Sequence, residues 1–189
     1  ENAIELDRES GVAWLGIARC ERSLKNYDLA KEALDRSSRL LDGEPIVSAE
    51  AALLALDNGD LVEANRLIEA ASVTLENTAL ISYLRGNLAS MSGNFLAARN
   101  HYDDVLEIHD PLHVRARLNR IAVSISLGLF DSAMDDCRVL LEHSPNLTLA
   151  KCRMADTLML IANWSQAKDL WEDVLDINGN HPHALTQLA

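Results

Sequence analysis

Several residue types that would commit a chain to a special class are scarce here. Three Cys at positions 20, 137 and 152 share no C-x-x-C spacing, which excludes a disulfide framework and fits a reducing, cytoplasmic compartment. Four Pro and eight Gly exclude collagen-like and low-complexity classes. No apolar run approaches the roughly 20 residues that a bilayer span requires, so membrane insertion is not expected. Cations are outnumbered, 17 Lys and Arg against 29 Asp and Glu, and the net charge of -12 argues against a nucleic-acid partner because phosphate would be repelled. Strand formers are few as well. Val and Ile supply 19 of the 189 residues and aromatics 4%, whereas Leu and Ala supply 57. That balance predicts an all-α chain.

What is present is a repeat. Tyr27-Asp-Leu-Ala30, Leu61-Val-Glu-Ala64, Phe95-Leu-Ala-Ala98, Phe130-Asp-Ser-Ala133 and Trp164-Ser-Gln-Ala167 each open a helical pattern. Their alanines are separated by 34, 34, 35 and 34 residues, and a fixed stride of this length is the mark of a stacked repeat architecture. Four residues before the alanines stand Asn26, Asp60, Asn94, Leu129 and Asn163, so four of the five helices carry an Asx residue at the expected cap. One residue earlier come Lys25, Gly59, Gly93, Gly128 and Ala162, where the preceding helix should end in the left-handed conformation. Twelve residues before each alanine stand Ala18, Ala52, Gly86, Ile121 and Ala155. Small side chains at both places let two antiparallel helices approach closely.

The spacing predicts helices at about 12–24, 28–41, 46–58, 61–75, 80–92, 95–109, 114–127, 130–143, 148–161 and 164–177, with another beginning at His183. No set of convergent polar groups, phosphate loop or activated nucleophile appears, so an enzyme is not expected. No cofactor is expected either. His181-Pro-His183 and the pair His109 and His113 are the nearest approach to metal spacing, and both read as solvated turn residues. Asp103-Asp104 and Asp135-Asp136 read as a solvated helix face.

With small residues at its eighth and twentieth positions, this unit resembles the tetratricopeptide repeat family. Units three and four carry the closest local matches, Leu84-Arg-Gly-Asn87 through Pro111 and Leu118-Asn-Arg120 through Pro145. The resemblance implies an α-solenoid of helix-turn-helix units wound as a right-handed superhelix. It implies five units at about 11–44, 45–78, 79–112, 113–147 and 148–181. Residues 1–10 would then be the remnant of a preceding unit or an N-terminal extension, and 182–189 the start of a further helix. No polar capping helix is evident, which is expected of a segment cut from a longer array or covered by another subunit.

In the resembled family the first helix of each unit faces a concave groove. Among the inward positions here are Arg19, Arg22, Arg115 and Arg153 against Glu50, Asp57 and Asp156, so the acidity of the chain lies outside the groove. Co-chaperone members hold a peptide's terminal carboxylate with Lys, Asn and Arg. Asn87, Asn119 and Arg153 match that pattern, while Tyr83 and Leu149 replace its two lysines. The implied partner-binding set is Tyr83, Asn87, Arg115, Leu118, Asn119, Arg153 and Asp156, a mixture suited to a protein or peptide backbone with an acidic group. The leading reading is a non-enzymatic scaffold or adaptor. A recognition segment of a larger enzyme or secretion machine, and a self-associating scaffold forming homo-oligomers, are the alternatives.

Overall fold

The computed structural model describes residues 10–75 and 78–189; the expectation placed on residues 1–9 lies outside them. The described residues contain helices and no strand. They fall into two compact units, divided after Asn94. Unit 1 holds α1 (Gly11–Ser23), α2 (Tyr27–Leu40), α3 (Pro45–Asp57), α4 (Leu61–Leu75) and α5 (Ala79–Met91). Unit 2 holds α6 (Phe95–Asp103), α7 (Val114–Ser126), α8 (Phe130–His143), α9 (Thr148–Leu160), α10 (Trp164–Ile177) and α11 (Pro182–Leu188). Consecutive helices pack as hairpins, α1 on α2 and α3 on α4 in unit 1, α7 on α8 and α9 on α10 in unit 2.

The repeating alanines explain why these hairpins close. Ala30, Ala64, Ala98, Ala133 and Ala167 are all 0% exposed, and Ala18, Ala52, Ile121 and Ala155 are buried as well. Ala18 and Ala30 share one apolar cluster, Ala52 and Ala64 a second, Ile121 and Ala133 a third. A side chain no larger than a methyl group keeps the helix axes close enough for the flanking residues Leu15 and Leu34, or Ile68 and Leu84, to interlock.

Each tight turn uses the same backbone device. Lys25, Gly59, Gly93, Gly128 and Ala162 all have φ between 60° and 76°. At each of the five, the left-handed residue's N–H donates three residues back and the next N–H donates five back, as in Lys25 to Arg22 and Asn26 to Glu21, or Gly128 to Ile125 and Leu129 to Ser124. This is the Schellman pattern that satisfies the last helical carbonyls. The caps that follow are less uniform than the Asx pattern suggests. Asp60 does accept from the Glu63 amide at 3.0 Å, but Asn26 donates to Glu21 Oε2 and Asn163 to Gln166 Oε1. Asn26 and Asn163 have ψ of 67° and 68°, away from the extended region in which a side chain aims at the first helical amides.

One helix departs from its expected winding. The stretch 95–109 begins as α6 but continues from Asp104 to His109 as a π-helical turn, closed by the Asp110 N–H donating to Val105 O. A π turn accommodates one additional residue, and this is the segment in which the stride lengthens from 34 to 35. The extra residue is absorbed here, so the buried stripe of Ala98, Tyr102 and Val105 stays in register.

Candidate functional site

First helices lie side by side within each unit, α1, α3 and α5 in unit 1 and α7 and α9 in unit 2. In unit 1 four charged residues of this layer are matched to one another. Arg19 Nε donates to Glu50 Oε1 at 2.7 Å, and Arg22 Nη1 to Asp57 Oδ2 at 2.8 Å, each joining α1 to α3. These four side chains brace neighbouring helices. Tyr83 and Asn87 stand on α5, half-buried and each engaged in side-chain interactions of its own.

Unit 2 differs. Arg115 is exposed on α7 and Arg153 half-buried on α9, and among the described residues neither forms a side-chain hydrogen bond or ion pair. Leu118 is half-buried against the core around Ile121 and Ala133, and Asn119 beside it is half-buried and engaged. Asp156, four residues after Cys152 on α9, lies 2.9 Å from His183 Nε2 on α11. That contact, rather than one with Arg153, occupies its carboxylate. Sequence reasoning missed it because residues 27 apart on separate helices carry no common period.

Two of the four histidines singled out for their spacing act at helix starts. His113 Nδ1 accepts from the Ala116 amide and His181 Nδ1 from the Ala184 amide, so each caps the helix it precedes. His181 Nε2 then lies 3.9 Å from Cys152 Sγ, and the His183 ring stands edge-on to the buried Trp171 at 4.9 Å. Among the described residues no three His, Cys, Asp or Glu side chains are placed to hold one metal ion. Burial, with the Asp156 carboxylate, pushes the Cys152 thiol up. Burial and Asp136 push that of Cys137 up to about 12. Both therefore keep their protons.

The paired acids require a correction. Asp104 and Asp135 are exposed, but Asp136 is only 3% exposed and Asp103 half-buried. Asp136 accepts from Arg117 Nη1 and from Arg120 Nε and Nη2, the last two at 2.8 and 2.6 Å. Arg120 Nη1 also donates to Asp103 Oδ1 at 2.7 Å, and Arg117 Nη2 to Pro111 O. Burial disfavours the Arg120 charge, yet its bonds to Asp136 and Asp103 outweigh this and hold its pKa above the ordinary value. The cluster joins α6, α7, α8 and the loop after the π turn. Adjacent acids point in different directions on a helix, so one of each pair meets solvent while the other turns inward.

Among the described residues no helix is long and apolar enough to cross a membrane. The tetratricopeptide repeat family's model matches residues 83–147. Similar solved structures include the APC/C hetero-tetramer Cut9–Hcn1, at TM-score 0.86 and 20% identity over 99% of this chain and 37% of that one. YrrB, described as a TPR protein with an unusual peptide-binding site, matches at TM-score 0.66 and 18% identity over 98% of this chain and 95% of that one. TTC0263, a thermophilic TPR protein of Thermus thermophilus, matches at TM-score 0.79 and 14% identity over 94% of this chain and 96% of that one. The chain thus spans little more than a third of the first of these and nearly all of the other two. A stride of 34 residues marked by buried alanines, five left-handed turns of one design and a fold shared along the chain carry a single conclusion: this is an all-α solenoid of helix-turn-helix units, within which residues 83–147 match the tetratricopeptide repeat family.

Proposed function

We propose that the chain is a non-enzymatic adaptor of five repeats, at about 11–44, 45–78, 79–112, 113–147 and 148–181, whose first helices hold a peptide or protein segment bearing an acidic group. The family and fold are generally those of interaction scaffolds and are generally non-enzymatic. The observation that carries the finer reading is Arg153, a half-buried guanidinium with no acidic partner among the described residues, on a layer whose other buried charges are paired. A cation left so offers a charge-assisted bond to a ligand's carboxylate. Arg115 adds charge at the edge, Leu118 apolar contact and Asn119 an amide able to donate and accept, with Asp156 beside Arg153 setting the sign against a second anion. Tyr83 and Asn87 supply the same chemistry on α5 in unit 1.

An array of peptides ending in either a free carboxylate or an amide would test this. Ligands recovered by the wild-type chain should favour the carboxylate form, and Arg153→Gln should abolish that preference while the helical circular dichroism stays unchanged. Asn119→Ala, in the same unit as Arg153, should weaken the same ligands without altering the melting temperature. Equal recovery of acid and amide forms, or undiminished binding by both variants, would reject the site.

A further inference from the structure

Unit 1 contains a cleft of about 430 Å³ on the side of the second helices, walled by α2, α3 and α4. Its place in the repeat explains why it is open. Moving along the chain by the 69 residues that separate Ala64 from Ala133 carries Ser48, Ala51 and Leu67, which line the cleft, onto Arg117, Arg120 and Asp136. Moving by the 68 residues from Ala30 to Ala98 carries Asp35, which also lines the cleft from α2, onto Asp103. The four residues of the buried ionic cluster in unit 2 thus have their counterparts around this cavity. In unit 2 two arginine side chains fill the space and Asp103 holds one of them at 2.7 Å. Unit 1 has a hydroxymethyl and a methyl group instead, and the arginines' volume is empty.

We propose that this cleft receives an arginine side chain from a partner polypeptide, with its guanidinium on Asp35. Among the described residues the Asp35 carboxylate makes no hydrogen bond or ion pair, whereas its counterpart Asp103 is engaged. Leu34, Leu54 and Leu67 supply an apolar wall for the methylene stem. Three carboxylates, Asp35, Asp60 and Glu63, stand at the cleft against two cations, Lys31 and Arg66, so the balance favours a positive guest. Arg66, which a free amino acid would need for its own carboxylate, is already held by Glu63 in two bonds of 2.7 and 2.6 Å. That selects a residue within a chain over the free metabolite. The planar guanidinium, with several donors in a fixed fork, suits two oxygen acceptors such as the Asp35 carboxylate and the Ser48 hydroxyl, both of which line the cleft, better than an ammonium does.

The test is a titration of the 15N-labelled chain with N-acetyl-arginine methylamide, followed by amide chemical shifts, with the citrulline counterpart as an uncharged control of the same shape. Shifts should concentrate on α2, α3 and α4 around Asp35, Ser48 and Leu67, and citrulline should bind at least about tenfold more weakly, as expected for loss of a charge-assisted bond. Asp35→Asn should bring arginine down to the citrulline level. The triple variant Ser48→Arg, Ala51→Arg, Leu67→Asp transplants the unit 2 cluster and should close the cleft to the ligand. Shifts elsewhere, equal binding of the two ligands, or an Asp35→Asn variant with unchanged affinity would overturn the proposal. Tighter binding of free arginine than of the blocked form would replace the partner polypeptide with a metabolite. Should the triple variant fail to fold, Asp35→Asn decides alone, because its side chain is exposed. Arg153 lies in the other unit, so its substitution leaves this outcome untouched.

Discussion

Asp136 lies at the centre of the buried cluster, and removing its charge is the sharpest test of how unit 2 is held together. Its carboxylate accepts three N–H bonds from two guanidiniums whose side chains are 10% and 13% exposed. In Asp136→Asn the shape is kept, but the amide nitrogen meets donors and one positive charge loses its counterion. Arg120 retains Asp103, while Arg117 is left with only the Pro111 carbonyl. Arg117 Nε is already buried without a partner, so the site has no spare acceptor to offer. Breaking a buried pair from one side costs roughly 3–5 kcal/mol, whereas replacing the whole group by apolar residues is often neutral or stabilising by about 1–4 kcal/mol. Urea unfolding followed by circular dichroism should therefore show a large fall in midpoint for Asp136→Asn and none, or a rise, for Arg117→Met with Arg120→Leu and Asp136→Leu. A loss below about 1 kcal/mol for the single variant is the value expected of an exposed pair, and would refute the view that the cluster is desolvated.

Ala98→Leu, at a site with no exposure, should overpack its surroundings and lower stability by roughly 1–3 kcal/mol in urea titration; an unchanged midpoint would mean that the alanine register does not mark close packing. Ala162, at φ 60°, should gain about 1 kcal/mol when replaced by Gly, which occupies the left-handed region without Cβ strain, and thermal melting would read this directly. In a thiol-reagent assay at pH 8, exposed Cys20 should react in the folded chain, while Cys137 should react only after unfolding because burial holds its thiol up to about 12. An unfolded thiol near its ordinary 9.0 ionises before the folded one, so this residue's contribution to stability is intact below pH 9 and is lost as pH rises toward 12.

Helix positions, the close approach of paired helices and the left-handed turns are all legible along the chain, because each depends on residues a few places apart. Ten expected helices stand within about one residue of their expected ends, and even the stride of 35 marks an irregularity that the π turn resolves. A repeat makes such reading robust: small residues and turn geometry are dictated locally and then copied, so one misplaced signal such as Leu129 does not alter the pattern. Charges behave otherwise. Whether an acid meets water or a guanidinium depends on which side chains from other helices arrive opposite it, and no periodicity records that. Hence Asp136, expected at the surface, is buried, Asp156 of the expected binding set is taken up by His183, and the charged inner residues of unit 1 are braces. The cleft beside Asp35 belongs to the same category, since an empty volume exists only once three helices are packed around short side chains. Local chemistry thus set the backbone, and the assembled helices set which charges remain available to a partner.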